Sequence, residues 1–365
     1  MAASDTEQTV SRSIEIAGRK IGPGEPPYII AEVSANHRGS IQAALDLITT
    51  AKDAGADAVK LQTYTADTIT IDHDGPDFLI KGGLWDGRKL YDLYKEAHTP
   101  FEWHERLFAH ARKVGITAFS SPFDDTAIEL LESLDAPAFK IASFEAIDLP
   151  LIRRAARSGR PLIISTGMTS PAEIEAALSA ARGAGCNQIA LLHCVSEYPA
   201  AVETSNLRTI ADLAERYDVV AGLSDHTLGT VVSVAAVATG AALIEKHFTD
   251  SRANGGPDSA FSLEPHELKE LCQSTHTAFA ALGSPHYKRS KGEEANKQFR
   301  RSLYVVKDIA KGEAFTRENV RSIRPGYGLP PDRLADVLGR QAPRALKRGI
   351  PFTEDLLQQA DGPRN

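Results

Sequence analysis

Short apolar runs alternate with longer segments of helical periodicity from Pro27 onward. The runs begin at Tyr28, Ala58, Ile116, Ala138, Pro161, Ile189, Val219 and Ala241, and each is rich in β-branched or aliphatic residues. Between and after them, apolar positions recur at helical spacing over 41–54, 101–114, 125–134, 149–158, 171–182, 206–217, 231–239 and 264–282. The punctuation agrees: Gly55, Gly115 and Gly159 follow three of these segments, and Pro171 opens another after Ser170. Eight strands alternating with helices over about 250 residues is the pattern of a (β/α)8 TIM barrel in the α/β class. An open doubly wound sheet is the alternative, and the absence of a Gly-rich dinucleotide turn after the first strand weighs against it.

The pattern changes at both ends. Residues 1–26 are polar and then Pro/Gly-rich, which predicts an N-terminal extension with one short strand, ahead of a barrel over 27–282. Residues 283–298 are polar and aperiodic, a linker, and 299–365 hold short strands and turns, a small β-rich domain. One connection, 63–100, is long enough to fold over the barrel mouth, because it leaves the C-terminal end of the second strand.

Composition narrows the class. The chain has 365 residues, 42% hydrophobic and 24% charged, with a formal net charge of −7, which argues against nucleic acid as the main partner. The first ten residues lack the apolar stretch of a secretory leader, and no run approaches the ~20 residues of a membrane span. Three scattered cysteines, Cys186, Cys194 and Cys272, suggest reduced thiols in the cytoplasm.

The candidate chemistry lies at the C-terminal ends of the runs. These carry Glu32, Lys60 with Gln62, Ser120 with Ser121, Lys140 with Ser143 and Glu145, Ser165 with Thr166, His193, Ser224 with Asp225 and His226, and Glu245 with His247. Barrel enzymes place their sites on that face. His226 and His247 end adjacent strands and are positioned to share one divalent metal ion with open coordination positions. Lys60 and Lys140, in otherwise apolar strands, with Ser121, Ser143, Ser165 and Ser224, describe a cationic, hydroxyl-lined pocket for a phosphate and a carboxylate. Glu32, Glu145 and Asp258 are candidates for proton transfer and for holding sugar hydroxyls. A barrel lysine also suits a Schiff-base aldolase, and any one of the carboxylates alone suits a salt bridge.

At these residues the chain resembles the sialic acid synthase family. The resemblance rests on Ile30-Ala-Glu-Val-Ser-Ala-Asn-His-Arg-Gly, Ala58-Val-Lys-Leu-Gln-Thr, Phe139-Lys-Ile-Ala-Ser-Phe-Glu, Ser165-Thr-Gly-Met, Gly222-Leu-Ser-Asp-His-Thr and Glu245-Lys-His-Phe-Thr, and it covers nearly the whole chain. The C-terminal part, with Ile323-Arg-Pro-Gly, is similar to the family's antifreeze-like (SAF) domain. The stretches starting at Gly82, Ser251 and Arg300 match the branch whose sugar is 2,4-diacetamido-2,4,6-trideoxy-altrose.

The resemblance implies an enzyme condensing phosphoenolpyruvate with an acylamino-sugar. His226 and His247 would hold the metal, Mn²⁺ first with Co²⁺ or Mg²⁺ as alternatives, to polarise the sugar aldehyde. Lys60, Lys140, Ser121, Ser143, Ser165 and Ser224 would hold phosphoenolpyruvate. Glu145, with Glu32 nearby, would transfer the proton. Gln62, Tyr64, Tyr198 and Asp258 fall at substrate positions. Ser196 stands where the neuraminate branch carries Asn, so a phosphoenolpyruvate contact is either made by Ser196 or lost. Arg324 falls where a partner's arginine closes the sugar end of the site, which implies a domain-swapped homodimer. Competing readings are a neuraminate or legionaminate synthase, a metal-dependent aldolase without phosphoenolpyruvate, and an inactive barrel whose SAF domain binds carbohydrate.

Overall fold

The computed structural model describes residues 12–357; residues 1–11 and 358–365, the outer parts of the expected extension and C-terminal domain, lie outside it. The chain divides into two compact units, Met1–Gly283 and Ser284–Asn365. The first begins with β1 (Ile14–Ile16) and β2 (Arg19–Ile21), paired antiparallel. The extension thus contains two strands where one was expected. Gly18, at φ 80°, supplies the left-handed backbone their tight turn requires.

Eight parallel strands follow: β3 (Tyr28–Glu32), β4 (Ala58–Thr63), β5 (Thr117–Pro122), β6 (Phe139–Ile141), β7 (Leu162–Ser165), β8 (Ile189–Cys194), β9 (Val220–Asp225) and β10 (Leu243–His247). They close into a barrel in chain order, β10 pairing with β3. The intervening helices obey their sequence signals. Ile41–Ala54 starts where the Ser40 side chain accepts the Ala43 N–H and stops at Gly55, φ 96°. Pro171–Gly183 opens with a Ser170–Glu173 capping box.

Strand alternation sorts the side chains. Tyr28, Ile30, Ala58, Phe119, Ala138, Ile163, Ala190, Leu192, Val220 and Leu243 form one buried cluster inside the barrel. Ile14, Ile16 and Ile21 join the same cluster, so the hairpin closes the N-terminal end. Ile29, Ala31, Val59, Leu61, Phe139, Ile141, Ile164 and Leu191 face the helices instead. With both faces buried, these strands read as nearly continuous apolar runs.

The connection after β4 is not irregular throughout, since it holds short helices at Ala66–Ile69 and Leu90–Ala97. Likewise the segment expected as an aperiodic linker contains the helical turn Lys291–Ala295, entered through a Ser290–Glu293 capping box. The second unit pairs β11 (Ser302–Val305) with β12 (Val320–Ile323) and has its own core of Leu303, Val305, Phe315, Val320 and Phe352. Among the described residues no helix is long and apolar enough to cross a membrane, and Cys186, Cys194 and Cys272 are free and buried.

Candidate active site

Carried up the barrel, the inward parity turns from apolar to charged. Ile30 is followed by Glu32, Ala58 by Lys60 and Gln62, Phe119 by Ser121, Ala138 by Lys140, Ile163 by Ser165, Leu192 by Cys194, and Leu243 by Glu245 and His247. The ladder sets Glu32 beside both Lys60 and His247, and Ser224 beside both Glu245 and Cys194.

The centre is a four-membered charge cluster. Lys60 Nζ lies 2.9 Å from Glu32 Oε2 and 3.3 Å from Glu245 Oε1, and it donates to Ser121 Oγ at 3.3 Å. Lys140 Nζ lies 3.4 Å from the same Glu245 oxygen, to which Ser224 Oγ also donates at 3.4 Å. All four charged side chains are buried. Burial alone would depress the Lys60 ammonium, but Glu245 and Glu32 hold it above its ordinary value. Lys140 ends below its ordinary value, because burial outweighs the pull of Glu245. Burial likewise pushes Glu32 up against Lys60, whereas Glu245 is held down, its burial overcome by Lys140 and Lys60. Taking four ions out of water is a poor route to stability, since apolar side chains of similar volume do as well or better. The arrangement instead suits an anionic ligand that exchanges with a carboxylate at Lys140.

Above the cluster, the His226 and His247 rings lie 5.4 Å apart. His226 donates Nδ1–H to the Val195 carbonyl at 2.9 Å, which occupies Nδ1 and leaves Nε2 as the nitrogen for a ligand. His247 Nδ1 is buried and without a hydrogen-bond partner; its closest carboxylate oxygen is Asp258 Oδ2, at 3.8 Å. Burial and the neighbouring cations hold His247 well below its ordinary value, so it is neutral, the form that can ligate a metal. Among the described residues no group of three or more His, Cys, Asp or Glu is arranged to hold a metal. Burial would lower His226, but Cys194, the Val195 carbonyl and Glu245 hold it above its ordinary value. With its proton displaced, His226 together with His247 would fit a divalent ion that takes its other ligands from substrate or water.

The remaining expected residues divide. Gln62 donates to Glu32 Oε1 at 2.9 Å and to Ser34 Oγ at 3.1 Å, and Ser34 in turn donates to Asp258. Tyr198 stacks 4.4 Å from His226. Ser143 accepts the Gly167 N–H at 3.2 Å, and a Cβ at Gly167 would stand 2.2 Å from Ser196 Oγ and 2.7 Å from Ser143 Oγ, so only glycine permits both hydroxyls there. Ser165 Oγ and Glu145 Oε2 are buried without a partner, and burial lifts Glu145 to about 7. Tyr64 is buried against Tyr94 and Phe123, whose rings meet it edge-on at 5.9 and 5.1 Å. Arg324 belongs to the second unit, exposed, in the turn that follows β12.

Four strand-end residues leave the site. Ser120 bonds Thr63 at 2.6 Å, His193 bonds the Ser205 carbonyl at 2.7 Å, and Thr166 donates to the Leu192 carbonyl at 3.2 Å. Asp225 is held by Lys246 at 2.8 Å and Ser233 at 2.6 Å. Ser120, His193 and Asp225 have outward parity, so they tie strands to the surrounding layer. Conversely, Cys194 reaches the interior, 3.9 Å from His226 Nδ1, and Phe261 packs 4.9 Å from the His247 ring. Glu245, seen as a strand-end carboxylate, is the hub of both lysines.

A closed barrel whose mouth joins two buried ammonium groups to a pair of buried imidazoles is an enzyme site of the condensing-synthase type, and the comparisons with known proteins agree. Residues 47–287 match the NeuB family and residues 300–358 match the SAF domain. The chain is 43% identical to pseudaminic acid synthase of Helicobacter pylori over 92% of this chain and 99% of that protein. It is 45% identical to pseudaminic acid synthase of Campylobacter jejuni over 92% of this chain and 96% of that protein. The structure is similar to N-acetylneuraminic acid (sialic acid) synthetase from Leptospira borgpetersenii, with a TM-score of 0.70 and 33% identity, covering 78% of this chain and 95% of that one. The chain belongs to the NeuB family of synthases, whose members are in general metal-dependent.

Proposed function

We propose that the protein condenses phosphoenolpyruvate with open-chain 2,4-diacetamido-2,4,6-trideoxy-altrose, giving pseudaminic acid and inorganic phosphate. The observation that carries this reading is identity of 43–45%, over nearly full length, to pseudaminic acid synthases. In the reaction the C3 of phosphoenolpyruvate bonds to the aldehyde carbon, water adds at C2, and phosphate leaves with the C2–O bond. Lys140 and Lys60, with Ser121, Ser143, Ser165, Ser196 and Ser224, bind the phosphate and carboxylate. Gln62, Tyr64, Tyr198 and Asp258 orient the sugar. His226 and His247 hold the divalent ion, Mn²⁺ in our reading, which when bound supplies Lewis-acid polarisation of the aldehyde oxygen. The free cysteines support a reducing, cytoplasmic setting. Mass spectrometry of the product from phosphoenolpyruvate and a panel of acylamino-hexoses tests the assignment. A product from N-acetylmannosamine or the legionaminate precursor at a faster rate would move the protein to another branch of the family.

Glu145 carries the proton transfer at C2, with Glu32 as its neighbour in the mouth. Its elevation from 4.5 to about 7 by burial puts the carboxyl where it changes charge near neutrality. As a base it must be ionised, so kcat should fall as pH drops below about 7, and Glu145→Gln should abolish that limb along with most activity. The stability effect has the opposite sense. A carboxyl raised in the fold loses stability as pH climbs from about 4.5 to about 7, so Glu145→Gln should melt higher than the wild type at pH 8 and close to it at pH 5. An unshifted pH–rate profile in a well-folded variant would remove Glu145 from this role.

We also propose a homodimer in which Arg324 of one chain serves the barrel of the other. Its exposure in a turn outside the barrel unit supports a role toward a partner. Mixing an Arg324→Ala subunit with a His226→Ala subunit should then restore part of the activity each lacks alone. No recovery after demonstrated subunit exchange would rule the arrangement out.

A further inference from the structure

The connection between β4 and β5 carries one aromatic ring across the mouth. Trp85 is partly buried although Leu84, Asp86 and Gly87 beside it are exposed. It donates its indole N–H to the Pro257 carbonyl at 3.0 Å, in the segment beyond β10. The same ring lies 5.6 Å from Tyr198, tilted by 51°. Tyr198 lies 4.4 Å from His226 and 5.2 Å from Phe261, and Phe261 meets the His247 ring edge-on at 4.9 Å. Side chains from four strand ends thus join into one aromatic wall, which begins at the histidine pair and ends at Trp85.

The chemistry of the wall is one-sided at its outer end. An indole has a single polar hydrogen, and here it is committed to Pro257. Trp85 therefore offers carbon alone to whatever lies against it. In the condensation proposed above the sugar aldehyde lies at the histidines, and a hexose chain extended along Tyr198 would bring its far end, C6, to Trp85. A methyl group there gains apolar burial, whereas a hydroxyl loses its water without gaining a donor or acceptor.

We propose that Trp85 is a specificity-determining residue that selects a 6-deoxy hexose by giving its C6 methyl an apolar seat and leaving a 6-hydroxyl unsatisfied. The inference rests on the condensation proposed above and adds the group that reads one end of the sugar. The bond to Pro257 is the latch that holds the ring in place.

The test compares kcat/KM, by phosphate release from the full-length enzyme, for 2,4-diacetamido-2,4,6-trideoxy-altrose and its 6-hydroxy counterpart. The wild type should favour the 6-deoxy sugar by about a hundredfold, the scale on which an apolar pocket rejects an added hydroxyl. Trp85→Ala should compress that ratio to within about threefold, with the KM for phosphoenolpyruvate unchanged. Trp85→Phe keeps an apolar face and loses the latch, so it should retain most of the ratio while raising KM for both sugars. A ratio unchanged in Trp85→Ala overturns the proposal, as does a wild type that uses both sugars equally, and both results leave the condensation standing. A wild type that turns over neither sugar overturns the condensation and the inference with it.

Discussion

Lys140→Met should lower kcat/KM for phosphoenolpyruvate by about a hundredfold or more, the scale of removing one partner from a buried charge pair. Methionine keeps the volume of the buried stem, so the loss reports the ammonium and not a cavity. The choice of lysine follows from the cluster. Lys60 sits between Glu32 and Glu245, at 2.9 and 3.3 Å, and its removal would leave two carboxylates buried together. Breaking such a pair costs about 3–5 kcal/mol, enough to confuse lost binding with lost folding. Lys140 has Glu245 as its carboxylate neighbour, at 3.4 Å, and Glu245 keeps Lys60 when Lys140 is gone. Steady-state kinetics with phosphoenolpyruvate varied, beside a thermal melt, separates the two effects. An unchanged kcat/KM in the folded variant would make Lys140 a structural cation.

His226→Ala should lose activity on the order of a thousandfold, consistent with the several kcal/mol that a Lewis acid contributes. Exhaustive chelation of the wild type should have the same result, and Mn²⁺ should reverse it. His104 is the matched control. It is also a buried histidine, bonded to Thr63 at 2.8 Å and depressed to about 4 chiefly by burial, but it stands on the helix side of β4. His104→Ala should therefore lower the melting temperature and leave the metal dependence intact. Full turnover after chelation would remove the metal from the account.

The sequence made the barrel legible because eight apolar runs and their intervening helical periods leave little choice of topology. Lys60, Lys140 and Glu32 were legible for a related reason: a charge inside an apolar run is costly unless it does something. Side-chain direction was harder to see. With both faces of a parallel strand apolar, the sequence does not distinguish inward from outward, and a shift of one residue exchanges them. His193 and Cys194 are adjacent, yet the thiol is the one beside His226. Asp225 and His226 are adjacent too, and the aspartate is bound to Lys246. The role of Glu245 depended on barrel closure, which brings β10 against β3 and within reach of a lysine on β4. The Trp85–Pro257 bond joins residues far apart in the chain, and no local pattern announces it.

In the proposed reaction one barrel mouth holds the metal at His226 and His247 and phosphoenolpyruvate at Lys140 and Lys60. Anomalous diffraction at the manganese edge, from crystals soaked with Mn²⁺ and phosphoenolpyruvate, tests it most directly. One strong peak is expected between the two imidazoles, with phosphate or carboxylate density against Lys140. A peak elsewhere with none at the histidine pair, or phosphoenolpyruvate bound away from both lysines, would contradict it.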